Sequence, residues 1–115
     1  MTTNVIDPAI FGELQEAAGA EFVTELVDTF LEEAPGMLAD LRAARAAGDA
    51  EAYRRAAHSL KSNSMTFGAT ALAALARSAE LGGLNADTAL DQAAVEGLQR
   101  AYEEAAAALE AMPRG

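Results

Sequence analysis

The chain contains no cysteine and only one histidine. A disulfide framework and thiolate chemistry are therefore excluded. An ordinary zinc site is excluded as well, because it needs about three or four nitrogen or sulfur ligands. Carboxylates alone could still hold a hard cation weakly. Cations are scarce: 8 Lys and Arg face 18 Asp and Glu, for a net charge of -10. Such a surface is repelled by phosphate backbones and by anionic lipid, which argues against nucleic acid and membrane as partners. No apolar run approaches the ~20 residues of a membrane span. The opening segment, MTTNVIDPAIF, lacks the basic and apolar blocks of a signal peptide. The expectation is a cytoplasmic protein. Strand signals are missing too, since β-branched residues are few and show no sustained alternation.

What is present is apolar residue, 51% of a 115-residue chain. That suits one domain with one core. Alanine and leucine dominate, alongside Glu and Arg, which favours helix throughout. Asp7-Pro8 reads as an N-cap followed by proline at the first helical position. The first helix spans about 8–18. A second covers about 20–47, with Phe22, Leu26, Phe30, Met37, Leu38 and Leu41 as its expected inward stripe. Pro35 removes a backbone donor inside it and predicts a bend. Gly48-Asp49 supplies a C-cap glycine and then an N-cap acid. A third helix covers about 50–66 and breaks at Gly68. A fourth, about 69–82, should bury Leu72, Leu75, Ala76 and Ala79, and Gly82-Gly83 ends it. A fifth starts within Asn85 to Asp87, covers about 87–111, and turns Leu90, Ala94, Leu98, Tyr102 and Leu109 inward. Pro113-Arg114-Gly115 reads as a frayed tail. Short connections make neighbouring helices antiparallel. The expected fold is all-α: an up-down four-helix bundle with a short N-terminal helix packed across it.

The few cations are not spread evenly. Residues 1–40 hold nine acids and no base, whereas residues 42–77 hold Arg42, Arg45, Arg54, Arg55, Lys61 and Arg77 against Asp49 and Glu51. That basic stretch contains the one histidine, His58, in the segment HSLKSNSMTFGA. At ~100° per residue, Tyr53, Ala56, Ala57, Leu60, Ser64 and Phe67 gather on one side of the third helix. His58 falls ~150° from the centre of that cluster and so points at water. Its neighbours at i±3 and i±4 are Arg54, Arg55, Lys61 and Ser62, with Met65 two turns on. Cations around an imidazole favour its neutral form, whose lone pair is nucleophilic. They also stabilise an anion attached to the ring, and a phosphoryl group is the natural candidate. Ser62 is small enough to admit a partner surface, and Met65 offers it a soft apolar contact. The bland reading of the same residues is a solvated helix face. Ser64 faces inward and can bond back to its own helix, while Asn63 lies at the core boundary.

The segment AHSLKSNSMTFGA resembles the signature of the histidine-containing phosphotransfer (HPt) domain family. The match falls on His58, Leu60, Lys61, Gly68 and Ala69. The flanking stretches FVTELVDTFLEEAPGMLADLRAARAAGD and LAALARSAELGGL resemble the neighbouring helices of that family, so the resemblance covers about residues 7–111. One departure is Ser62, where the family often has glycine. The resemblance implies that His58 accepts a phosphoryl group at Nε2 from an aspartyl phosphate on a receiver domain and passes it to an aspartate on another. It implies that Lys61 pairs with the phosphoryl oxygens. Leu60 belongs to the core. The resemblance implies that Gly68 lets the third helix end and the fourth begin closely packed, with Ala69 as part of the matched motif. Arg54, Arg55, Ser62 and Met65 are candidate docking residues read from the helical wheel.

The implied partners are response-regulator receiver domains or a hybrid histidine kinase. No cofactor is expected on this chain, and the Mg2+ that assists transfer is expected on the receiver. No glycine-rich phosphate loop or nucleotide motif is present, so the chain should be a carrier without autokinase activity. The expected molecule is a stand-alone, monomeric phosphorelay protein. The alternative is a non-catalytic helical adaptor that docks on a receiver with His58 chemically idle. A bundle-type metal-carboxylate enzyme needs Glu-x-x-His pairs on facing helices, which one histidine cannot supply.

Overall fold

In the computed structural model, which describes residues 5–84 and 88–111, all regular structure is helical. The order is α1 (Pro8–Ala18), α2 (Ala20–Ala47), α3 (Ala50–Thr66), α4 (Thr70–Gly82) and α5 (Thr88–Ala111). The fourth helix begins at Thr70, one residue after the expected start, and Ala69 is its N-cap. Asn85 to Asp87 and the Pro113-Arg114-Gly115 tail lie outside the described residues, as does the side chain of Leu90.

The helices close into a ring. α2 packs on α3, α3 on α4, α4 on α5, and α5 returns to α2, while the backbones of the diagonal pairs stay farther apart. α1 lies against α2 and α3. The bundle is elongated, 45 × 31 × 19 Å. Antiparallel order follows from short turns with defined chemistry. Gly48 adopts φ 70°, donates its N–H to Arg45 O, and Asp49 N–H reaches Ala44 O. This is a Schellman ending, for which glycine is the favoured residue. Asp49 then accepts from Ala52 N at 3.0 Å and opens α3. One residue thus helps close one helix and caps the next.

The core holds one continuous apolar cluster. Phe30 sits at its centre, 5.2 Å from the Phe67 ring and 5.9 Å from the Tyr102 ring, centroid to centroid. These are tilted and edge-on pairings of the favoured kind. The Tyr102 hydroxyl donates to Leu31 O and so ties α5 to α2. Burial, and secondarily the Glu110 charge, push that phenol up from its ordinary range. Alanines 34, 57, 76 and 105 have no exposed surface, so small side chains let the helices approach closely.

Three inward assignments are corrected. Phe22, Leu75 and Ala94 face solvent. The α2 stripe runs instead through Val23, Val27, Phe30, Ala34, Leu38, Leu41 and Ala44. On α5 the buried residue is Val95. A register of one residue separates each wrong choice in α2 and α5 from the right one. Alanine carries too little area to identify the buried face by itself. Helix α2 continues through Pro35; the proline removes the N–H that would reach Leu31 O, and the Tyr102 hydroxyl donates to that carbonyl instead.

Candidate functional site

The site is built on α3. Tyr53, Ala56, Ala57, Leu60 and Ser64 form its buried face, and the Ser64 hydroxyl donates to Leu60 O at 2.6 Å within the same helix. Asn63 likewise donates to Ser59 O. These bonds satisfy polar groups on or near the inward face and leave it free to pack. The opposite face carries His58, whose side chain is 58% exposed. The wheel therefore places the ring on the correct side.

The end of α3 is held from an unexpected direction. Gly68 has φ 78°, Gly68 N–H reaches Met65 O, and Ala69 N–H reaches Ser64 O. That pair of bonds is a second Schellman ending. A Cβ on Gly68 would lie 3.0 Å from Asp7 O and 3.1 Å from Ile10 Cβ, and Asp7 N–H donates to Gly68 O at 2.8 Å. The glycine is thus needed twice, for its left-handed backbone and for the close approach of α1. The tight neighbour is α1 rather than α4, which revises the expected role of Gly68. Asp7 also caps α1 through Ala9 N and Ile10 N.

The surroundings of the ring differ from the expected cluster of cations. Glu80, on the last turn of α4, brings its Oε2 to 2.7 Å from His58 Nδ1 and its Oε1 to 2.8 Å from Lys61 Nζ. One carboxylate bridges the histidine and the lysine. Its side chain is 18% exposed, so the carboxylate lies at the edge of the bundle while the ring it meets faces water. The Lys61 ammonium first, and the His58 ring second, hold the Glu80 carboxyl below the usual carboxylate range. An ionised carboxylate only accepts hydrogen bonds, so the proton of this contact sits on Nδ1. In the neutral ring the lone pair is then on Nε2. The nitrogen that keeps the lone pair is fixed by the bridge and not by a crowd of positive charges. No hydrogen bond to Nε2 is present among the described residues.

Arg54, Arg55, His58, Ser59 and Glu80 line one shallow open groove. Arg55 also lies 3.6 Å from Glu51 in a fully solvated pair. Ser62 and Met65 are exposed further along α3. Lys61 is 21% exposed and engaged by Glu80, not projecting freely toward a ligand. Leu60 and Ala69 are buried, as core residues should be. Glu80 is the functional residue that sequence reasoning missed. It lies on another helix, and only the packing of α3 on α4 brings it to the ring. Its position next to buried Ala79, one turn after buried Ala76, was the available signal that it lies at the edge of that contact.

Among the described residues no group of three or more His, Cys, Asp or Glu is placed to hold a metal ion, and no helix is long and apolar enough to cross a membrane.

Comparisons with known proteins agree with this geometry. The family model for the Hpt domain matches residues 25–109. The crystal structure of histidine-containing phosphotransfer protein B (HptB) from Pseudomonas aeruginosa PAO1 superposes with a TM-score of 0.79 at 28% sequence identity, over 95% of this chain and 94% of that one. A search of curated proteins finds no match. With a solvent-facing histidine on a four-helix scaffold and a matching family model over most of its length, the chain belongs to the Hpt domain family, the histidine phosphotransfer modules of phosphorelays.

Proposed function

We propose that His58 is the phosphoryl acceptor of this chain and that Nε2 is the reacting atom. The observation that carries this reading is the 2.7 Å contact between Glu80 and Nδ1 on an otherwise solvent-facing ring. It leaves one nitrogen with a lone pair, turned away from the protein. Receiver domains and histidine kinases are the general partners of Hpt domains. Here a receiver's aspartyl phosphate is the donor. The Nε2 lone pair attacks phosphorus, the bond from phosphorus to the acyl oxygen breaks, and the aspartate leaves as carboxylate. The reverse step delivers the group to another aspartate. In-line placement and neutralisation of the equatorial oxygens are what the reaction requires. Lys61 supplies part of that neutralisation by turning from Glu80 to the phosphoryl oxygens. Arg54 and Arg55 attract the acidic rim of the partner site, and Ser62 and Met65 sit under the docked receiver. Any divalent cation that assists would arrive with the receiver, in its own acidic cluster.

The test is labelling by a phosphorylated receiver domain. His58→Gln should keep the helical circular dichroism of the parent and take up no label. The label on the parent should be lost in acid and kept in alkali, as for a phosphoramidate. Equal labelling of the variant would place the phosphoryl group elsewhere. Receiver binding without any labelling of the parent would establish a docking adaptor instead.

A further inference from the structure

We propose that Pro35-Gly36 is a hinge in α2 and that the Tyr102 hydroxyl of α5 is the catch that holds it shut. The proposal concerns the scaffold and stands whatever group His58 carries. A proline inside a helix removes one N–H, and its ring crowds the carbonyl four residues back. Here that carbonyl is Leu31 O. A glycine follows at once, the residue whose backbone loses most freedom on entering a helix. Such a step is where a kink is expected, yet α2 runs unbroken from Ala20 to Ala47.

The bond that replaces the missing one comes from another helix. Tyr102 Oη donates to Leu31 O at 3.3 Å, across 71 residues of chain. Leu31 is half-buried against the core, and Tyr102 is buried. A carbonyl left without a partner in such a place costs free energy, and the phenol supplies the partner. The edge-on contact of its ring with Phe30, 5.9 Å between centroids, aims the hydroxyl. On the outer side Pro35 and Gly36 face solvent, and no atom packs near the Cβ position of Gly36. The step is therefore braced from within the bundle. The half of α2 ahead of the hinge carries Phe30, whose ring lies 5.2 Å from that of Phe67, the C-cap residue of α3. Movement at the hinge thus reaches the end of the helix that bears His58.

Native-state hydrogen exchange on the full chain, resolved to single amides, tests both halves of the proposal. The amides of Gly36, Met37 and Leu38 bond back across the proline. Tyr102→Phe keeps the ring against Phe30 and removes only the donor. In that variant the three amides should exchange about fivefold faster than in the parent, the scale of one neutral hydrogen bond. Their rates should be indifferent to low concentrations of denaturant, which marks a local opening that exposes little surface. The amide of Leu60, in the middle of α3, should instead follow the denaturant. Pro35→Ala returns the missing N–H to Leu31 O. In the Pro35→Ala background, Tyr102→Phe should therefore speed the same amides by less than about twofold, a departure from additivity that marks coupled residues. An equal effect of Tyr102→Phe with and without Pro35 would overturn the catch. Unchanged rates at Gly36 to Leu38 in Tyr102→Phe, or rates that track the denaturant as Leu60 does, would overturn the hinge.

Discussion

The two faces of α3 follow different rules. On the buried face, Tyr53, Ala57, Leu60 and Ser64 have almost no exposed surface, and the Ser64 hydroxyl is satisfied by Leu60 O within the same helix. On the open face, His58 and Met65 are both 58% exposed, as side chain and as residue respectively. Changes on the first face should alter how firmly the bundle holds together. Changes on the second should alter chemistry and leave stability nearly untouched. The contrast teaches that an HPt helix divides its work by angle around its own axis, and that Glu80 and Lys61 lie at the boundary.

The sharpest break comes from His58→Gln, which should reduce receiver-dependent labelling to background with the unfolding midpoint unchanged. A destabilised variant would mean that the ring also serves the scaffold. The mirror change is Leu60→Ala. It should cost about 2–5 kcal/mol in denaturant unfolding, the range for a large-to-small change in a packed core. The folded fraction of that variant should still accept label. Lys61→Ala tests the boundary. Transfer from a saturating phosphorylated receiver should slow about tenfold while affinity for the receiver changes less, because one charge-assisted contact to the phosphoryl group is lost. Loss of affinity alone, measured by titration, would make Lys61 a docking residue.

Acid provides a gentler probe. A carboxyl whose folded pKa is depressed adds stability above its unfolded value of about 4.3, and that stability is lost as pH falls through the folded value. Glu80 is such a group. Thermal denaturation of the parent and Glu80→Gln should therefore differ slightly near neutrality and converge as pH drops below about 4. The smallest effect belongs to Arg55→Ala. Its pair with Glu51 is 3.6 Å long and open to water on both sides, so stability should change by less than about 0.5 kcal/mol. Any larger change in transfer would then report on receiver contact.

Much of this contrast was legible before any coordinates. The spacing of Tyr53, Ala57, Leu60 and Ser64 fixes the inward side of α3, and His58 falls opposite by arithmetic alone. Asp7-Pro8 and Gly48-Asp49 mark helix ends because caps are local chemistry. The failures share a cause. Phe22 and Leu75 are large apolar residues that the hydrophobic pattern pulled inward, whereas the bundle buries Val23 and several alanines instead. Side-chain size decides a face only when the helices stand far enough apart to need it. Glu80 escaped notice because a helical wheel describes one helix at a time, and its partners lie 22 and 19 residues away on another. The electrostatics inferred from α3 alone therefore lacked the anion that sits nearest to the ring.

The hydrogen bond from Asp7 to Gly68 carries a consequence for how the molecule comes to be. A residue two helices earlier in the chain clasps the end of the helix that bears the ring. A chain that has already formed the turn after α3 must still bring Asp7 back to that turn. A change at Asp7 therefore acts on the end of α3, ten residues along the chain from His58.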